Sequence, residues 1–172
     1  MTCLLSYQTS SQREPSQVTI RPARIQDVPL ILDFIHKKAE FERNLGAFSG
    51  MLNLSEALLA QTLFGKHPFA YVLLAEIKNQ PVGYLLYFFK YASFLGIPSI
   101  WVDDVYVDEH LRGKGIGSSL MQMIAQIGRE NHCRMLAWIT DRRNLQGLKF
   151  YNRLGAQLHD QNGNDCTMRW YL

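Results

Sequence analysis

The chain has 172 residues, 47% of them hydrophobic, enough apolar material for one domain with a real core and too little length for two. Charged residues make up 19% and the formal net charge is +3, too weak and dispersed a basic field to recruit nucleic acid. Cys3, Cys133 and Cys166 are far apart and lack Cys-x-x-Cys spacing, which argues against a disulfide framework or a zinc knuckle and fits a reducing, cytoplasmic setting.

The opening "MTCLLSYQTSSQREPSQ" has no basic n-region and only a short apolar pair, well short of a signal peptide. Residues 1–16 are expected to form a mobile polar tail, and residues 17–172 a single domain. No later segment approaches a membrane span, so no membrane partner is expected. "VTIRPA" alternates as a half-buried strand does, which places a first strand from Val18 to about Arg21. In "RIQDVPLILDFIHKKAEFERNL", Ile31, Phe34, Ile35, Ala39 and Phe41 recur near helical spacing, with Asp27 as the expected cap and Pro29 in the first turn. Asn53 or Ser55 is placed to cap a second, short helix, "SEALLAQTLFG", with its glycine as the stop.

"FAYVLLAEIKNQPVGYLLYFFKYA" reads as two strands in a hairpin, with Asn79 and Pro81 supplying the turn. "SIWVDDVYV" is a fourth strand, "IGSSLMQMIAQIGRENH" an amphipathic helix with Ile116, Leu120, Ile124 and Ile127 on one stripe, and "RMLAWIT" a fifth strand. That β-α-β order implies parallel pairing across a right-handed crossover. "NLQGLKFYNRLG" is a last helix closed by Gly155, and "AQLHD" and "CTMRWYL" pair around the turn "QNGN". The class is therefore α+β, with a mixed, mostly antiparallel sheet of about seven strands flanked by four helices.

The turn "RGKGIGS" (Arg112, Gly113, Lys114, Gly115, Ile116, Gly117, Ser118) sits between the apolar strand and the amphipathic helix. Glycines there let the backbone take positive φ and approach a ligand, while the helix N-terminus offers unpaired N–H groups and partial positive charge. The expected ligand is a phosphate, with Arg112 and Lys114 adding charge for a diphosphate. The P-loop pattern is absent, and Gly-x-Gly-x-x-Gly fails at Ser118 and at Leu120, so the two commonest nucleotide folds drop away.

The preceding strand carries a second signal. Ile100 and Val102 share one face, yet Val105 and Val107 have the opposite parity, so a β-bulge is expected at Asp103-Asp104. Bulges of this kind bend a strand and re-aim a side chain.

Arg-x-x-Gly-x-Gly after "VDDVYVDEHL" resembles the acetyl-CoA signature of the GNAT superfamily of N-acetyltransferases, and the element order matches that family over about residues 17 to 172. "GKHPF", "WVDDVYV", "AEFERN" and "NLQGLKFYNRLGA" are similar to its diamine branch, of the spermidine/spermine or thialysine type. The resemblance implies a sheet splayed between strands four and five, with the pantetheine arm of the cofactor pairing with the exposed backbone of Val105, Tyr106 and Val107. It further implies a cofactor contact from Asn144, whose position also suits a helix cap. It implies a homodimer as well.

Amide formation from an amine needs a neutral nucleophile, but a primary ammonium has a pKa near about 10.4. The resemblance assigns the base to Asp103, acting through water because the aspartate is shorter than the glutamate usual in the branch. It assigns the general acid for the departing thiolate to Tyr151, and the acidic contacts of the amine to Glu42, with Asp104 and, through its ring, Trp101 alongside. The backbone N–H of Val107 or Val105 is expected to meet the thioester carbonyl. His36, His67, His110, His132 and His159 have no ligand spacing, so no metal is expected.

The resemblance thus implies acetyl transfer from acetyl-CoA to a small primary amine, namely a diamine, a polyamine or a lysine analogue. Protein, peptide or aminoglycoside-like amines stay open as acceptors. So does an acyl-CoA-binding domain without turnover.

Overall fold

A computed structural model of the chain describes residues 18–94 and 96–172; the expected tail over 1–16, with Cys3, lies outside them. The chain runs from β1 (Val18–Pro22) through a 3-10 turn (Ile25–Asp27) into α1 (Val28–Asn44) and α2 (Glu56–Phe64). β2 (Tyr71–Ile77), β3 (Gln80–Ala92) and β4 (Ile97–Val107) follow, then a second 3-10 turn (Glu109–Leu111) and α3 (Ile116–Glu130). β5 (Met135–Asp141), α4 (Leu145–Arg153), β6 (Gln157–Asn162) and β7 (Asp165–Tyr171) complete it.

All the strands join one seven-stranded sheet in the order β1-β2-β3-β4-β5-β7-β6. The pairs are antiparallel except β4 with β5, where the α3 crossover enforces parallel pairing. That parallel pair touches only at Ile100 with Leu136 and Trp101 with Ala137. Beyond those residues the strands part, leaving the β4 edge from Val102 to Val107 without a β5 partner.

The bulge lies where the parity break points. Leu86 faces Asp104 and Tyr87 faces Val102, so Asp103 is the unmatched residue. Ile100 and Val102 before it, and Val105 and Val107 after it, then pack into one core with Leu120, Met121 and Ile124 of α3 and Leu136 and Trp138 of β5. The opposite face of the sheet holds a second core, in which Ile31 and Phe34 of α1 and Leu59 and Leu63 of α2 pack on Leu74 and Tyr84. Burial of this order, at about 25 cal/mol per Å² of apolar surface, dominates the stability of both layers.

The helix ends follow the sequence at Ser55, which accepts from the Leu58 N–H at 3.3 Å, and at Gly155, whose φ of +89° closes α4. Three local expectations need correction. Asp27 precedes α1, but its carboxylate does not cap that helix; it accepts from the Arg24 N–H at 2.7 Å and from both terminal nitrogens of Arg21 at 2.7 and 3.0 Å. The β2–β3 turn is Lys78-Asn79, both at positive φ (52° and 60°), and Pro81 lies within β3 opposite Glu76, beside a bulge that excuses its missing N–H. In the last hairpin the turn is Gly163-Asn164, while Gln161 and Asn162 pair with Cys166 and Asp165.

Candidate active site

The parted strands, the glycine turn and two helices enclose a cleft of about 340 Å³. Val105, Tyr106 and Val107 supply its β4 wall, and Arg112, Gly113, Gly115, Ile116, Gly117 and Ser118 its turn. Asn144, Gln146, Gly147, Phe150, Tyr151 and Arg153 bring α4, while Lys38 and Phe41 reach in from α1. A second cavity of about 60 Å³ adjoins it, sharing Lys38, Phe41, Val105, Asn144 and Tyr151 and adding Glu42, Asp103, Trp138 and Asp141.

The glycine turn divides its labour. Gly113 and Gly115 adopt φ of +79° and +86°, and a Cβ at either would meet no protein atom within 4 Å. Gly117 serves packing instead, since a Cβ there would come within 3.2 Å of the Phe150 ring. The first intrahelical bond of α3 runs from the Ser119 N–H to the Gly115 carbonyl at 2.9 Å. The N–H groups of Ile116, Gly117 and Ser118 are therefore free of helical partners at the cleft, the arrangement that favours an anion.

Arg112 is held in place: its Nε donates to the Val107 carbonyl at 3.0 Å, and its guanidinium lies over the rings of Phe41 (4.6 Å) and Tyr106 (5.6 Å). Lys114 does not line the cleft. Asn144 borders both cavities while its side chain caps α4, accepting from the Gly147 N–H at 2.9 Å.

On the side of the smaller cavity, three carboxylates gather but differ in their partners. Asp104 accepts the Tyr84 hydroxyl at 2.7 Å and pairs with the Lys38 ammonium at 3.2 Å. Glu42, one turn from Lys38, binds the same ammonium. Asp103 has no ion pair among the described residues. Although Asp103 reaches solvent at the cavity mouth, desolvation by the surrounding protein, followed by the Asp104 charge, pushes its carboxyl above the ordinary range. The Trp101 indole and Lys38 pull it the other way.

Trp101 and Asp104 line neither cavity, and the Trp101 ring face carries the Lys90 ammonium at 5.1 Å. Burial opposes the charge on Lys38, but Asp104 and Glu42 together outweigh it and hold the ammonium above its usual value.

Tyr151 borders both cavities, with its ring 4.8 Å from Trp138 and 5.1 Å from Phe150. Burial pushes its hydroxyl up to about 12, against a smaller opposing pull from Lys38, so the proton stays on the oxygen at neutral pH. The chemical capacity is clear: an anion-binding turn and a proton acceptor flank a protonated phenol.

Sequence reasoning missed Lys38, Phe41, Trp138, Gln146 and Arg153. Phe41 reads as part of the apolar stripe of α1, but it faces the cleft under Arg112. The segment "AEFERN" was the available signal, because it follows Lys38 directly and holds both Phe41 and Glu42, the glutamate that Lys38 binds. Among the described residues no group of His, Cys, Asp or Glu side chains has a metal-holding arrangement, and no helix is long and apolar enough to cross a membrane.

The family model "Acetyltransferase (GNAT) family" matches residues 39–156. A thialysine N-epsilon-acetyltransferase of Bos taurus is 34% identical over 158 residues, spanning 87% of this chain and 90% of the relative. The spermidine/spermine N(1)-acetyltransferase-like protein 1 of Homo sapiens is 31% identical over 144 residues, 80% of this chain but 20% of that longer protein. Among solved structures, the PaiA N-acetyltransferase of Thermoplasma acidophilum in complex with coenzyme A superposes with a TM-score of 0.72. It is 16% identical, with 91% of this chain and 99% of that one covered.

Proposed function

The chain belongs to the GNAT acetyltransferase family and is an N-acetyltransferase, and from that premise we propose that it moves the acetyl group of acetyl-CoA directly onto a primary amine of a small diamine, polyamine or lysine-like molecule. The observation that carries the reading is the meeting of two cavities at Tyr151, one bordered by the glycine turn and the other by the unpaired Asp103. The coenzyme A bound to the PaiA neighbour, and the thialysine and polyamine chemistry in the names of the relatives, support the donor and the acceptor class.

The N–H groups at the start of α3, with Arg112, would hold the diphosphate of the donor, and the unpaired β4 edge its pantetheine arm. Asp103 takes a proton from the acceptor ammonium, through water, and the freed lone pair attacks the thioester carbonyl. The new C–N bond gives a tetrahedral oxyanion facing the backbone N–H of Val105 or Val107. The C–S bond then breaks, and Tyr151 gives its proton to the thiolate. The Tyr151 proton is replaced by the one that the new ammonium-like nitrogen sheds, so one proton leaves to solvent for each amide formed. Glu42 lies at the amine side of this path.

A cytoplasmic homodimer is the assembly and setting proposed with this activity, and light scattering of the purified protein tests the first. Incubation of the protein with acetyl-CoA and a panel of diamines, polyamines, lysine analogues, peptides and aminoglycosides, read by thiol release, tests the reaction. Turnover confined to small primary amines is the expected result, and no turnover of any amine overturns the reading.

A further inference from the structure

Of the described residues that border both cavities, Lys38 alone carries a charge, and Tyr151 is another of them. The lysine is held where it stands. Its side chain is 17% exposed, and its ammonium binds Asp104 at 3.2 Å and Glu42 one turn further along α1. Asp104 is fixed in turn by the Tyr84 hydroxyl at 2.7 Å, and Tyr84 is fully buried, its ring stacked on Phe34 at 5.5 Å. A flexible four-carbon stem ordinarily lets a lysine sample solvent; here the second hydrophobic core anchors its charge at the meeting point of the two cavities.

In the proposed reaction the C–S bond breaks with its electron pair passing to sulfur, and the sulfur takes the Tyr151 proton. A phenolate then remains until the nitrogen of the new amide returns a proton to it. Burial opposes that anion most, Asp104 and Glu42 oppose it further, and the charge that favours it is Lys38. Lys38 keeps its own proton throughout, since burial works against its charge but Asp104 and Glu42 outweigh burial and hold the ammonium above its usual value. What it supplies is a positive charge already in place, so nothing has to reorganise as the negative charge develops.

We propose that Lys38 is the electrostatic partner of Tyr151, a positioning residue whose anchored charge stabilises the phenolate formed as the departing thiolate is protonated. This rests on the acetyl-transfer reading above, in which Tyr151 is the acid. Lys38 acts through Tyr151 and not on the acetyl group.

The test is a double-mutant cycle on kcat, with acetyl-CoA and the amine of the panel that turns over fastest. Saturating amine at about pH 8.5, well above the carboxylate range, keeps acceptor affinity and the titration of Asp103 out of the comparison. Lys38→Met is expected to lower kcat by about tenfold or more, with KM for acetyl-CoA within about threefold, and Lys38→Arg, which keeps the charge, to stay within about threefold of wild type. In the Tyr151→Phe background, which has no phenol proton to give, Lys38→Met is expected to change kcat by less than about threefold. An unchanged kcat in Lys38→Met, or an equal loss in both backgrounds, overturns the proposal while Tyr151 keeps its role. Wild-type kcat in Tyr151→Phe overturns the acid assignment and the proposal with it, and absence of turnover of any amine overturns acetyl transfer as well. If Lys38→Met does not fold, Lys38→Gln, whose amide can still donate to both carboxylates, carries the same cycle with the same outcomes.

Discussion

Asp103→Asn separates the role of the bulge residue from that of its neighbours. A primary ammonium with a pKa near about 10.4 is neutral in roughly one molecule in a few thousand at pH 7, and a positioned base typically recovers about 10²- to 10⁴-fold of that deficit. Asp103 is suited to the task because Lys38 engages Glu42 and Asp104 and leaves it unpaired, while desolvation and the Asp104 charge raise its proton affinity. We expect kcat/KM of the variant to fall by about 10²- to 10³-fold at pH 7. The free-amine fraction grows about tenfold per pH unit, so the deficit should shrink to within about tenfold near pH 10.

Asp104→Asn is the control. It strips charge from the Lys38 pair, weakens the Tyr84 bond and removes a charge that raises Asp103, so it should lower stability by about 1–3 kcal/mol and move the acid limb of the pH profile down, with no deficit that closes toward pH 10. Thiol release from acetyl-CoA between pH 6 and 10, with thermal melts of each variant, measures both effects. Retention of more than about a tenth of wild-type activity by Asp103→Asn at pH 7, or a deficit that stays constant to pH 10, would refute the base assignment.

Tyr151→Phe removes the proposed acid and should lower kcat by about 10²-fold or more, with KM for acetyl-CoA within about threefold. Because burial carries the hydroxyl up to about 12, the wild-type kcat should show no alkaline loss from this group at pH 10. Gly115→Asp places a carboxylate and a side chain at φ +86°, while Gly115→Asn imposes the same backbone strain without charge, at a cost of about 1 kcal/mol. Calorimetry should find coenzyme A binding at least about tenfold weaker in the Asp variant than in the Asn variant, and equal affinities would remove the diphosphate from this turn.

Asp27→Asn breaks the Arg21 network, at an expected cost of about 2–3 kcal/mol at pH 7 by denaturant melts. The hydrogen bond from Arg21, chief among its contacts, holds Asp27 below its ordinary carboxylate value. Its contribution is therefore complete above about pH 4 and lost as pH falls through the native value, so variant and wild type should converge in acid. A gap that persists at low pH would show that the pair stabilises by shape and not by charge.

Much of this architecture is legible because it rests on local stereochemistry. A parity change from Val102 to Val105 can keep one apolar face only through an extra residue, and the structure places it at Asp103. Ser55 and Gly155 follow from cap chemistry in the same way. What the sequence hides is pairing between distant elements. Pro81 looks like a turn residue because its missing N–H is a local fact, whereas the bulge that accommodates it depends on Glu76 in the neighbouring strand. Lys38 reads as a solvated cation on an amphipathic helix. Packing α1 against the sheet brings it to Asp104 as well as to Glu42 four residues on, so two of the acids that a count of carboxylates assigns to a groove already have a cation.

In the proposed reaction, the bulge would let donor and acceptor chemistry meet on a single strand yet remain separable. Up to Trp101, β4 is held by β5; after Asp103 the bend turns the strand away and opens the edge along which the cleft runs toward the start of α3. The inserted residue itself projects to the smaller cavity, so the opening and the carboxylate at its mouth have one cause. Lys38, Phe41 and Glu42, by contrast, come from neighbouring turns of α1, at helical spacings of three and four residues. Glu42 borders only the smaller cavity, so a substitution there is expected to change which amine is accepted while sparing the glycine turn, whereas Phe41 lies under Arg112 and Lys38 borders both cavities, so changes at either reach the donor side too.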